Sequence, residues 1–246
     1  MSSKTLFPLP RWNLSDLFAS VDDPTIDKTL KKQLTRAERF NKTYRGTITK
    51  ARTAEEIASM LKEYESILQE AWKPEIYASL LHAVDSKNPK HGALLQKTEQ
   101  GGMEISKAFL FLELELAKID VKTMQQWIEH PSLTRYRHYL EKELLWKPHR
   151  LSEVEEKLMK DLSLSGRSAF TRLYEEELSH HIYRFPKDKK YYNQEQLLDR
   201  LHYPKQSERK RAAEAYTVGL REQLRRLTFV THTLLQEKKT IDTSRQ

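Results

Sequence analysis

Apolar residues spaced at three and four constrain this chain more than any other feature. Ile26, Leu30, Leu34, Ala37, Phe40 and Tyr44 recur at that step, which places them on one face of a long helix. Asp23-Pro24 predicts its start, because a proline in the first turn costs no hydrogen bond, and Gly46 its stop. Thr53-Ala54-Glu55-Glu56 reads as a capping box opening a second helix, with Ile57, Met60, Leu61, Tyr64, Leu68 and Ala71 inward. Pro74 is expected to end that helix and to precede a third through Ile76, Leu80, Leu81 and Val84. Behind Pro89 a fourth covers about 91–118, with Leu94, Leu95, Ile105, Ala108, Phe109, Leu112 and Leu116 inward. Gly101-Gly102 inside it should cost about 1 kcal/mol each, which close packing of a neighbouring helix would explain.

The same rhythm predicts helices near 121–130 and 132–145. A capping box at Leu151-Ser152-Glu153-Val154-Glu155 opens another to about 162, and Gly166 divides it from one over 167–180. The pattern breaks only at 181–193. There Ile182, Tyr183 and Phe185 meet Pro186-Lys187-Asp188-Lys189 and then Tyr191-Tyr192, which reads as a small β-hairpin. Helices resume near 194–201 and from Ser207 to about Lys239. The fold class is therefore all-α with one small hairpin. Six glycines and nine prolines in 246 residues leave little material for a strand-and-turn architecture.

Composition excludes several function classes. The chain has no cysteine, which removes disulfides, thiolate zinc sites and cysteine nucleophiles and fits a reducing cytoplasm. The longest unbroken apolar run, Ala108 to Leu112, is far short of a membrane span, and residues 1–12 lack a secretory core segment. Among the nine histidines no two are four apart and none is followed by glutamate, so the zinc motif His-Glu-x-x-His is absent. Glu177 and His180 form one Glu-x-x-His, where a di-iron bundle needs two pairs and two further glutamates. His180-His181 makes a poor clamp, since adjacent helical side chains diverge by about 100°. Gly166-Arg167-Ser168-Ala169-Phe170 lacks the second glycine of a nucleophile elbow. Glu113/Glu115 and Glu175-Glu176-Glu177 read as exposed helix faces. Catalytic, cofactor and metal residues are accordingly assigned to no position.

The net charge of +8 is uneven. Lys28, Lys31, Lys32, Arg36, Arg39, Lys42, Arg45, Lys50 and Arg52 face one acid, Glu38, within residues 28–52, and residues 205–239 carry nine basic and four acidic side chains. Such density suits nucleic acid or an acidic partner, but these residues also lie opposite the apolar stripe, as the wet face of an amphipathic helix does. Trp12, Trp72, Trp127 and Trp146 are expected as packing anchors.

The order of features resembles a known family. Arg11-Trp12-Asn13-Leu14-Ser15-Asp16-Leu17-Phe18 leads into a helix ending Phe40-Asn41-Lys42-Thr43-Tyr44-Arg45-Gly46, followed by Ile76-Tyr77-Ala78. Then come Ala108 to Leu116, Tyr136 to Leu140, His149 to Glu156, and Arg209-Lys210-Arg211-Ala212-Ala213 opening a long helix. This resembles the N-terminal half of oligoendopeptidase F, of the thimet-oligopeptidase-like zinc metallopeptidases. The resemblance implies a helical channel wall around short peptide substrates, zinc in a C-terminal catalytic domain, and a cytoplasmic setting. It makes residues 1–246 the N-terminal helical region, in two sub-bundles of about 12–120 and 121–246, without that catalytic domain and inactive alone. Either a piece of a longer peptidase or a shortened paralogue fits. The alternative expectation is a non-catalytic helical module binding nucleic acid or an acidic protein through its basic helices.

Overall fold

A computed structural model describes residues 12–185 and 190–245. Ten α-helices occur among them, with short 3-10 segments and one two-stranded antiparallel sheet, so the chain is all-α with a small hairpin. It divides into two compact units.

The first unit holds residues up to Thr47 together with Arg52–Phe109. Helix α1 (Pro24–Tyr44) is capped by the Asp23 carboxylate, which accepts from the Thr25 N–H. Its buried stripe is Ile26, Leu30, Gln33, Ala37 and Phe40, so Gln33 takes the place expected for Leu34. Helix α2 opens with the predicted capping box on Thr53 and Glu56. It does not stop at Pro74: it runs unbroken over Ala54–Val84. A proline inside a helix loses one hydrogen bond, but Pro74 is itself buried, and the stripe Ala71, Pro74, Tyr77, Ala78 continues through it. Packing outweighs the missing bond. Phase is thereby kept, and Tyr77 and His82 are buried where Ile76 and Val84 were expected; these two are exposed.

Helix α3 (Pro89–Lys118) follows. Its residue Gly101 lies against α1, where an added Cβ would sit 3.1 Å from the Leu30 methyl groups. That is the close helix packing anticipated for the glycine pair. Phe109 stacks edge-on to Phe40 and Tyr64, at 5.2 and 4.8 Å between ring centres, and Asn41 Nδ2 donates to the Ala108 carbonyl at 2.7 Å.

The second unit holds Ile48–Ala51 and the residues from Leu110 onward. It comprises the end of α3, α4 (Val121–Glu129), α5 (Arg137–Trp146), α6 (Glu153–Ser165), α7 (Arg167–His180), strands β1 (Tyr183–Phe185) and β2 (Lys190–Tyr192), α8 (Gln194–Asp199), α9 (Gln206–Glu222) and α10 (Leu224–Arg245). The strands pair Tyr183 with Tyr192 and Phe185 with Lys190; the expected turn at 186–189 lies outside the described residues. Tyr183, Phe185, Leu197, Ala212 and Ala215 form a core under the hairpin. The Arg200 guanidinium lies 4.8 Å from the Phe185 ring centre and 4.5 Å from that of Tyr192, a cation–π arrangement.

The long helix expected from Ser207 is two helices. Gln223, at φ −100° and ψ 0°, separates α9 from α10. One turn earlier, Gly219 admits the hairpin so closely that a Cβ there would lie 2.3 Å from Tyr183 Cδ1. No residue at the joint is a helix breaker by type, which is why periodicity ran straight through it.

A candidate peptide-contact face on α6, α7 and α10

Three helices of the second unit are under-buried. Helices α6, α7 and α10 each bury a single side chain, Glu156, Leu178 and Val230. Many of their other apolar residues face outward: Val154 is 77% exposed, Phe229 64% and Leu235 59%, with Leu158, Leu162, Leu173, Tyr174 and Leu224 also exposed. A helix normally buries its apolar stripe, and apolar patches of this kind mark interaction surfaces.

Three contiguous depressions run along α10. A polar one of about 330 Å³ is lined by Glu176, Glu177, His180, His181, Gln223 and Arg226. It shares Leu173, Glu177 and Arg226 with an apolar one of about 510 Å³ that includes Tyr174, Leu227 and Phe229. That one shares Phe229 and His232 with a third of about 640 Å³, lined by Met159, Leu162, Gln236 and Ile241.

Charged groups fix these helices to one another. The Glu237 carboxylate of α10 accepts the Arg167 N–H at the start of α7, at 3.3 Å, where the helix dipole favours a negative charge. Arg245 binds Glu156 with both guanidinium nitrogens and also donates to the His149 carbonyl. Burial alone would push the Glu156 carboxyl up, but the hydrogen bonds from Arg245 and the Leu151 N–H, with the nearby cations, hold it below its ordinary value. Beside it, Arg150 bridges Glu113 and Glu143. Burial, opposed by Arg150, leaves the Glu143 carboxyl above its ordinary value. Removing one partner of such a network would leave a buried charge uncompensated.

The residues singled out in the sequence separate accordingly. Glu113 pairs with Arg150, while Glu115 accepts the Ile48 N–H. Glu177 faces Arg226 at 3.0 Å and not His180, whose Nδ1 lies 2.8 Å from the Glu176 carbonyl. Among the described residues no three histidine or acidic side chains gather to hold a metal ion. Lys28, Lys31, Lys32, Arg39 and Lys42 lie exposed on α1, opposite its buried stripe. Of the four tryptophans only Trp127 is a packing anchor; Trp12, Trp72 and Trp146 are exposed. Trp72 directly follows buried Ala71, and a helix turns successive side chains about 100° apart. Sequence reasoning did not identify Gln223, buried at 1% exposure with neither side-chain polar atom hydrogen-bonded. Its only sequence signal was a polar residue on an otherwise apolar inward face. No helix of the described residues is long and apolar enough to cross a membrane.

With this face described, comparison with known proteins shows what the chain is similar to. Residues 115–180, which include all of α6 and α7, match the Oligopeptidase F family model. The plasmid-borne oligoendopeptidase F of Lactococcus lactis subsp. cremoris is 29% identical over 108 residues, 44% of this chain and 18% of that protein. The oligoendopeptidase F homolog of Borreliella burgdorferi is 26% identical over 166 residues, 66% of this chain and 27% of that protein. The crystal structure of oligoendopeptidase-F from Enterococcus faecium shares the fold, with a TM-score of 0.71 at 16% identity, over 90% of this chain and 44% of that one. The chain is thus similar to the N-terminal region of oligoendopeptidase F and spans less than half the length of these relatives.

Proposed function

We propose that this chain is the N-terminal, channel-wall region of a peptidase acting on short peptides in the cytoplasm, and that α6, α7 and α10 are its peptide-contacting face. The single observation that carries this reading is the row of three joined depressions on helices that bury one side chain each. From Gln223 to Ser244, α10 rises about 32 Å at 1.5 Å per residue. An extended peptide of about nine or ten residues spans that distance at roughly 3.3 Å each, so the face fits an oligopeptide.

The family resemblance implies zinc, and the residues present do not fit it. The chain has no His-Glu-x-x-His, and among its described residues no cluster of three ligands. In this reading the wall binds and orients, and bond cleavage belongs to a metal-bearing catalytic domain such as longer relatives would carry. Incubating this chain with zinc and a quenched fluorescent oligopeptide is expected to give no turnover. Zinc-dependent, chelator-sensitive turnover by the pure chain would overturn the non-catalytic assignment.

A further inference from the structure

We propose that the two apolar depressions along α10 select the peptide. They take two bulky apolar side chains four residues apart on an extended chain, with a carboxylate of the ligand beside Arg225. This rests on the peptide-wall reading and names the class of peptide that the wall accepts.

The two depressions, of about 510 and 640 Å³, both fall within the range of ligand pockets. The first is bordered by Leu173 and Tyr174, the second by Met159, Leu162 and Ile241. They meet at Phe229 and His232, which line both. Phe229 leans on Phe170 of α7, 6.2 Å between ring centres, which braces the boundary. The apolar lining is open to solvent, with Leu173 and Tyr174 each 40% exposed and Leu162 58%. A ligand side chain entering there meets accessible carbon surface, and removing that surface from water favours binding.

The spacing follows from the helix. The α10 residues lining the first depression centre near Thr228 and those lining the second near Gln236, roughly 12 Å apart at 1.5 Å per residue. An extended chain covers that distance in about four residues at roughly 3.3 Å each. Side chains four apart on such a chain point to the same side. A helical ligand would need about eight residues for the same span.

Charge sets the rest. Glu177 faces Arg226 at 3.0 Å and Glu237 accepts the Arg167 N–H, so the carboxylates lining these depressions are engaged. Arg225 lines the first depression, lies exposed and makes no ion pair among the described residues. Arg225, Phe229, His232 and Gln236 recur at steps of four, three and four, so they share one face of α10. A carboxylate at the Arg225 end of that face therefore sits just outside the first apolar side chain. It comes either from an acidic side chain or from the end of the peptide.

The test measures affinity of the intact chain for end-blocked nonapeptides of alanine, threonine and glutamine with two leucines at spacings of two to eight. One-leucine peptides are measured alongside. Affinity should peak at a spacing of four, about tenfold above the one-leucine peptide. In Tyr174→Ser, which alters the first depression, and Leu162→Ser, which alters the second, that advantage should vanish; thermal melts confirm that both stay folded. A glutamate just outside the leucine pair, or a free terminal carboxylate there, should tighten binding up to about fivefold at low salt. Arg225→Gln should abolish this gain and keep the preference for four. A gain from glutamate alone identifies a side chain, and one from the free terminus alone the chain end. Equal affinity at every spacing, or a carboxylate gain that persists in Arg225→Gln, overturns the proposal while leaving the peptide wall standing. A peak at seven or eight means a helical ligand and overturns it as well. Absence of binding by any peptide overturns both readings. So does sedimentation showing a dimer that Phe229→Ser dissociates, because the face then belongs to a second copy.

Discussion

Arg245, at the end of α10, grips Glu156 at the start of α6 with two parallel bonds, Nη1 to Oε1 at 2.6 Å and Nη2 to Oε2 at 2.8 Å. This fork closes α10 over the segment that begins α6. Replacing Arg245 by methionine leaves a buried carboxylate without its cation. The expected loss is about 3 kcal/mol, read as a lowered midpoint in urea.

The same pair has a pH signature. The folded Glu156 carboxyl titrates below its unfolded value, so its contribution is present above the ordinary carboxylate range and lost as pH falls through the folded value. The deficit of Arg245→Met relative to the intact chain should therefore be full at pH 7 and shrink on acidification below about 4.

Glu75 on α2 should behave in the opposite sense. Burial, with the charge of Glu99 adding to it, raises its carboxyl, so the charged form costs stability once pH rises through the folded value. Glu75→Gln is expected to raise the denaturation midpoint at pH 7 by up to about 1 kcal/mol, limited because the side chain is partly exposed. That gain should vanish below about pH 4.

Gly219→Ala tests the hairpin's approach to α9. Alanine favours a helix interior by about 1 kcal/mol, yet its Cβ would fall 2.3 Å from the Tyr183 ring, which is fully buried. Overpacking of this kind costs roughly 1–3 kcal/mol, so a lower melting temperature is expected despite the better propensity. A rise would mean that the hairpin yields.

Much of this fold is legible in the chain because helical signals are local. The capping boxes at Thr53 and Ser152 state where α2 and α6 begin, and the structure forms both. Pro74 misleads because a local penalty is outweighed by burial of the proline, which only the folded chain shows. The Gln223 break is invisible for the converse reason: nothing local demands it. The contact face is the least legible part, since exposed Phe229 and Leu235 have the same helical spacing as core residues. Only the folded chain shows that both stand exposed among the described residues. The site residues belong to no motif and cannot be found by spacing.

Phe229→Ser separates that face from the core. The side chain is 64% exposed, so stability should change by no more than about 0.5 kcal/mol. Oligopeptide affinity should nonetheless fall, because Phe229 lines two of the three depressions. Circular-dichroism melts with fluorescence titration read both quantities on one preparation.

The central claim is that α6, α7 and α10 form a wall for peptides. It is tested most directly by titrating an unlabelled nonapeptide into the isotope-labelled chain and following the backbone amide resonances. Shifts are expected to concentrate between Glu153 and His180 and between Gln223 and Arg245, with α1 and α2 unmoved. No shift at millimolar peptide, or shifts confined to the basic face of α1, would contradict it.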